Sequence, residues 1–166
     1  AQGCTVLMGP SGTGKSSLLR TLSGQLQTHP QTRMSGQIRV TGLASDGAPE
    51  AHAPVLVAQK AELLLASVWE NLVAHWPERS RYPRMEQTAY VAQHLTRLGQ
   101  QHLLDLRDSA VIDLPVEARR RIGIVSKSLA PSSLLMIDEP TANLADKDCE
   151  GILLLIQRLA LERSVL

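Results

Sequence analysis

The chain has 166 residues, with 17 Lys and Arg against 16 Asp and Glu, a formal net charge of +1 and 43% hydrophobic residues. That length suits one domain with a real core, and the even charge balance gives no reason to expect a nucleic acid or an anionic membrane surface as a partner. No apolar run approaches the roughly 18 residues of a membrane span, no secretory leader pattern is present, and Cys4 and Cys149 have neither metal nor disulfide spacing, so a soluble, cytosolic chain is expected.

The first strand opens almost at Ala1, and Ser164-Val165-Leu166 reads as the start of another strand. Both ends therefore look cut, and a piece of a larger domain is expected. Thr5–Leu22 reads as a buried strand, a glycine-rich turn and an amphipathic helix, with Leu18, Leu19, Leu22 and Leu26 on the face toward the sheet. Between strand and helix, Gly9-Pro10-Ser11-Gly12-Thr13-Gly14-Lys15-Ser16 matches G-x-x-x-x-G-K-[ST], the phosphate-binding loop. Glycines let successive backbone N–H groups turn inward on phosphate oxygens, Lys15 can reach the β- and γ-phosphates, and the Ser16 hydroxyl can join a Mg²⁺ shell. Gly9 through Ser17 (Gly9, Pro10, Ser11, Gly12, Thr13, Gly14, Lys15, Ser16 and Ser17) are the expected contacts of a nucleoside triphosphate, above the positive end of the helix.

The polar stretch Gln27–Ser35 is expected to be a loop, Gly36–Thr41 an edge-like strand, and Leu43–Pro54 a turn-rich surface loop. Val55–Ala58 is short and fully apolar, the pattern of a buried parallel strand, and is followed by Gln59. Ser67-Val68-Trp69-Glu70 fits a capping box at the start of a helix. Trp69 and Trp76 are read as core residues in preference to interface anchors. Met85, Ala89, Ala92, Leu95 and Leu98 mark the inward face of a second helix that Gly99 ends. A further helix carries Ile122, Val125 and Leu129 on one face and Arg119, Arg120 and Arg121 in one turn, either a solvated face or a helix end near phosphate or a carboxylate. Ser133–Ile137 is a buried strand ending in Asp138-Glu139, and Asp148–Leu161 is the last helix, with Ile152, Leu155, Ile156 and Leu159 inward.

Strands alternating with helices predict an α/β domain with a mainly parallel sheet, the P-loop NTPase class, interrupted by a helical insertion. The domain would occupy 1–166 and remain incomplete, with 67–129 as a helical subdomain. An apolar strand ending in Asp-Glu is what a phosphate-loop ATPase needs opposite its loop. Asp138 would hold Mg²⁺ and Glu139 would orient the attacking water in line with the γ-phosphate.

Leu135-Met136-Ile137-Asp138-Glu139-Pro140-Thr141 resembles the second nucleotide motif of the ATP-binding cassette (ABC) ATPases. The order of parts is similar too: phosphate loop, Gln59 after a short strand, helical insertion, then Asp138-Glu139. Val57-Ala58-Gln59 resembles the family's Q-loop, whose Gln touches Mg²⁺ and couples the site to transporter helices. Val68-Trp69-Glu70-Asn71-Leu72 resembles its "V-x-E-N-L" segment. The resemblance implies MgATP as ligand, Glu139, Lys15 and Gln59 as catalytic residues, and Ser16, Gln59 and Asp138 around the metal.

The departures are specific. Leu114-Pro115-Val116-Glu117-Ala118 stands where the family's signature would read Leu-Ser-Gly-Gly-Gln. In the family, that serine and those glycines reach across a dimer to the partner's γ-phosphate. Pro115 removes the hydroxyl and the N–H, and Val116 puts a β-branched side chain where backbone must approach phosphate. A similar Val-Glu variant occurs in transporters of the pleiotropic drug resistance type, a looser resemblance. Ala145 stands where the D-loop usually has Asp. The family's adenine-stacking aromatic and switch histidine would fall outside this sequence.

The resemblance implies the ATPase domain of a transporter, acting at the cytoplasmic face of a membrane. Its partners would be a second nucleotide-binding domain, in an asymmetric pair, and a transmembrane domain or subunit, with no nucleic acid expected. The alternative is a soluble ABC-type ATPase acting on ribosomes or DNA. A small-molecule kinase is disfavoured by the Asp-Glu-Pro-Thr segment.

Overall fold

β1 (Gly3–Cys4), β2 (Val55–Val57), β3 (Leu134–Ile137) and β4 (Ser164–Val165) form a parallel sheet in the order β1-β4-β3-β2. A computed structural model of the chain describes residues 3–25, 35–36, 53–59, 63 and 65–166. The expected strand Gly36–Thr41 beyond Gly36 itself, most of the two loops beside it, and Leu26 lie outside the described residues.

β3 is the spine. Val55, Leu56 and Val57 of β2 stand opposite Leu135, Met136 and Ile137, and β4 pairs with its other edge. All four residues of β3 are apolar, as a strand covered on both faces requires. Their alternation sends Leu135 and Ile137 into the larger core cluster, while Leu134 and Met136 join Leu19, Leu22 and Leu56 on the opposite face. The smaller cluster is the seat of α1 (Lys15–Leu22), the helix that follows the phosphate loop.

On the other face lie α2 (Val68–Val73), α3 (Arg84–Leu98), α4 (Val116–Ser128) and α5 (Asp146–Ala160). α2 begins with the expected capping box. The Ser67 hydroxyl accepts from the Glu70 N–H, and the Glu70 carboxylate accepts from the Ser67 N–H at 3.0 Å. Trp69 and Trp76 are both buried, as core residues should be. The Arg84 guanidinium covers the Trp69 ring, and Trp76 stacks with Tyr82 and Tyr90. α3 ends at Gly99, whose φ of 67° is the left-handed closing conformation that suits glycine. The inward residues of α5 are Ile152, Leu155, Ile156 and Leu159, as their spacing predicts.

Three expectations are corrected. The strand before the phosphate loop is not buried over Thr5–Met8: β1 covers Gly3–Cys4 only, and Val6 and Met8 are 72% and 85% exposed. Among the described residues β1 pairs with β4 alone, and the last backbone bond between them joins the Thr5 N–H to the Val165 carbonyl. In α3 the buried residues are Val91, His94, Leu95 and Leu98, while Met85 is exposed. A histidine that pairs with Ser128 turned the face away from the apolar residues alone. Finally, of the two readings of the α4 arginines the solvated face does not hold, since Arg120 is buried and Arg119 and Arg121 are half-buried, whereas Arg121 does have a carboxylate partner, Glu117. α4 runs between α2, α5 and the sheet, so it is covered almost all round, and a one-sided reading of such a helix fails.

Candidate active site

The phosphate loop is built on two left-handed glycines, Gly12 (φ 80°) and Gly14 (φ 88°), the second standing at the N-cap of α1. A Cβ on either would meet nothing within 4 Å, so it is the backbone conformation, not crowding, that demands glycine there. The Thr13 hydroxyl donates to the Pro10 carbonyl at 2.8 Å, and Lys15 Nζ donates to the carbonyls of Gly9 and Pro10, both at 2.8 Å. The lysine therefore arches back over the loop and holds its curl. Three ammonium protons let it turn to a phosphate without abandoning every loop contact. Ser11 and Ser17 are exposed beside it, and the Ser17 carbonyl accepts from Thr21 Oγ1 inside α1.

Opposite the loop, β3 delivers Asp138 and Glu139. Their environments differ sharply. Asp138 is buried, its N–H donating to the Val57 carbonyl, and Oδ1 accepts from the Ser16 hydroxyl at 3.0 Å. Glu139 is exposed, with φ 45°, a conformation that non-glycine residues rarely adopt and that turns the chain sharply out of the strand. Its Oε2 accepts from Gln59 Nε2 at 2.7 Å, a bond that spans the carboxyl ends of β2 and β3. Ligands of parallel α/β sheets collect at those ends. Lys15 and the Asp138–Thr141 turn border a cavity of about 320 Å³ there, which Val6, Leu7 and Leu153 also line.

Three distant stretches, Gly9–Ser16, Gln59 and Asp138-Glu139, thus come together at one end of the sheet. Whether the polar set fits Mg²⁺ can be read from its oxygens. The cation takes hard oxygen ligands in an octahedron at about 2.0–2.1 Å, so neighbouring ligand oxygens lie about 3 Å apart. Ser16 Oγ and Asp138 Oδ1 stand at that separation. The residues present fit the ion.

After Glu139 the chain turns back on itself. The Ala142 N–H donates to the Glu139 carbonyl, the Leu144 N–H to that of Thr141, and Asn143 takes a left-handed φ of 61°. The Leu114–Ala118 stretch lies at the start of α4, with Pro115 as N-cap residue making no side-chain cap and Val116 half exposed. Glu117 pairs with Arg121 along the helix, and Arg121 Nη1 also donates to Gln100 Oε1. From α4 Arg120 reaches the turn, donating from Nη2 to the Ala142 carbonyl at 3.4 Å. The sequence placed Arg120 on a solvated face or near a phosphate or carboxylate, and its observed partner is a backbone carbonyl instead. Its position four residues before Ile124 and eight before Ser128, both buried, was the available signal.

The family model for ABC transporters matches residues 1–142. The chain belongs to the ABC transporter family. Among its relatives is ABC transporter G family member 7 of Arabidopsis thaliana, 29% identical over 93% of this chain and 22% of that protein. Another is the phosphonates import ATP-binding protein PhnC of Nocardia farcinica, 32% identical over 96% of this chain and 62% of that protein. The chain thus spans less than two thirds of either relative. The ABC fold recurs in cbiO1 of Clostridium perfringens, part of an ABC transporter complex, with a TM-score of 0.74 and 24% identity over 98% of this chain and 65% of that one. No helix among the described residues is long and apolar enough to cross a membrane.

Proposed function

We propose that this ABC domain binds MgATP on the Gly9–Ser17 loop and hydrolyses it with Glu139, driving transport through a membrane-spanning partner at whose cytoplasmic face it docks. The observation that carries the reading is the pair of bonds across the sheet ends, Ser16 to Asp138, which joins the phosphate loop to the first carboxylate, and Gln59 to Glu139, which joins the end of β2 to the second. Relatives described as a transporter and as an import ATP-binding protein support the coupling to transport.

In this mechanism the loop N–H groups and Lys15 bind the β- and γ-phosphates. Mg²⁺, held by Ser16 and Asp138 with Gln59 nearby, would supply charge neutralisation at the phosphate oxygens. Gln59 fixes the Glu139 carboxylate, and Glu139 holds a water in line with the γ-phosphorus and accepts its proton. The water oxygen bonds to the γ-phosphorus as the bond from that phosphorus to the bridging oxygen breaks, and ADP and phosphate leave. Residues 67–129 would act as a helical subdomain of this incomplete domain, carrying the Leu114–Ala118 stretch to the face of a second nucleotide-binding domain. Because that signature is degenerate while the Lys15, Gln59, Asp138 and Glu139 set is whole, the pair would be asymmetric.

In the full-length protein, Glu139→Gln should bind MgATP as the wild type does and hydrolyse it at least roughly tenfold more slowly, about 1.4 kcal/mol of barrier. Binding and steady-state turnover measured side by side check this. Wild-type turnover in the variant would move the catalytic role to another group.

A further inference from the structure

Arg120 is 5% exposed, yet its guanidinium faces no carboxylate among the described residues. Among the described residues Nη1 has no hydrogen-bond partner, and Nη2 meets the Ala142 carbonyl at 3.4 Å, the far edge of hydrogen-bonding reach. Burying a cation this way is costly, and Met or Leu would fill the same volume on α4 more cheaply. Charge-assisted N–H···O bonds are strongest near about 2.8 Å, so this one has slack of about half an ångström and a second donor in reserve. The carbonyl it reaches belongs to the turn that begins with Glu139, where the Ala142 N–H is bonded to the Glu139 carbonyl. In the other direction, Arg120 is five residues along α4 from Pro115, or about 7.5 Å of rigid helix.

We propose that Arg120 is a positioning residue for Glu139, hanging the 139–144 turn from α4 so that the placement of the Pro115–Val116 end sets the placement of the carboxylate. The turn draws in on the guanidinium when nucleotide is bound, shortening the Ala142 contact and engaging Nη1. A neighbour pressing on the start of α4 is thereby felt at this chain's own Glu139, through one side chain and one turn. The inference rests on the reading of Glu139 as the hydrolytic carboxylate, and its test separates the two.

The experiment uses the full-length protein and compares Arg120→Met, Arg120→Lys, Glu139→Gln and the Arg120→Met/Glu139→Gln double variant. Arg120→Met should keep or raise its melting temperature, keep its MgATP affinity, lower kcat roughly tenfold with KM unchanged, and speed hydrogen exchange at the Ala142 and Leu144 amides. Arg120→Lys should recover part of the loss, and Arg120→Met should add less than about twofold to the defect of Glu139→Gln, because both act through one carboxylate. If Arg120→Met fails to fold, Arg120→Gln carries the same comparison. Slow Glu139→Gln beside wild-type turnover in Arg120→Met overturns the positioning role alone. Equal slowing by Arg120→Met with and without Glu139 also overturns it, whereas wild-type turnover in Glu139→Gln removes the catalytic reading and this inference with it.

Discussion

His94 shows how much a single buried polar side chain decides in this molecule. Its Nδ1 faces the Arg97 guanidinium at 3.1 Å and its Nε2 faces Ser128 Oγ at 2.8 Å, while that hydroxyl donates to the Val125 carbonyl. With Arg97 as donor, Nδ1 must accept, so the ring is neutral with its proton on Nε2. Burial, with the Arg97 and Arg163 charges adding to it, brings the imidazole down to about 4. The unfolded chain, with an ordinary value near 6.5, binds more protons than the folded one across that interval. Stability is therefore whole above pH 6.5 and falls as the pH drops toward 4, with about 1.4 kcal/mol per pKa unit making a loss on the order of 3 kcal/mol from this residue. Urea midpoints taken from pH 7 to pH 4 should fall more steeply for the wild type than for His94→Asn. Parallel slopes would contradict the account. Little of this was legible beforehand: a histidine among helical residues reads as polar, and only the Ser128 partner explains its burial. Glu139 is the contrasting case. Its identity could be read from the strand it ends, but its left-handed backbone and its bond to Gln59 depend on pairing between β2 and β3, which lie far apart in the sequence.

At the scale of the element, periodicity located helices well where one face is buried and poorly where burial is all-round or set by polar pairs. α5 carries its inward leucines and isoleucines where their spacing puts them. α4 is enclosed, so a three-residue apolar face told only part of its surroundings, and the buried Arg120 was hidden among neighbours that suggested solvent. β1 differed in the opposite direction: the apolar run Val6-Leu7-Met8 promised a buried strand, but among the described residues it lies beyond the last backbone bond to β4 and is exposed. The start of α4 is the element on which the proposed pairing turns. Pro115 offers no hydroxyl to cap the helix and no N–H to a phosphate, and Glu117 is already engaged with Arg121. Transition-state charge in phosphoryl transfer needs donors on all sides, so the missing cap should lower rate more than affinity. In the full-length protein, a self-pair should gain turnover when the usual signature is restored by Pro115→Ser, Val116→Gly, Glu117→Gly and Ala118→Gln. A wild-type self-pair already as fast as that variant would make the Val-Glu form a working signature and end the asymmetric-pair reading.

Across the whole molecule, the sheet is what converts separated motifs into one site. β2, β3 and the loop after β1 end on the same side, so Gln59, Asp138-Glu139 and Gly9–Ser16 converge although 80 positions separate the first bonded pair and 122 the second. That convergence was readable as a pattern of motifs, because the phosphate loop and the Asp-Glu strand end each require the other's chemistry. The distances were not, since they follow from strand order. The most direct measurement of the account is nucleotide affinity at Lys15. Among the described residues its ammonium group bonds only the exposed loop carbonyls of Gly9 and Pro10, so removing it should leave the fold standing. A titration of full-length Lys15→Ala with MgATP, beside a melting curve, should show binding lost and melting unchanged; wild-type affinity in a folded variant would contradict the assignment of this loop as the phosphate site.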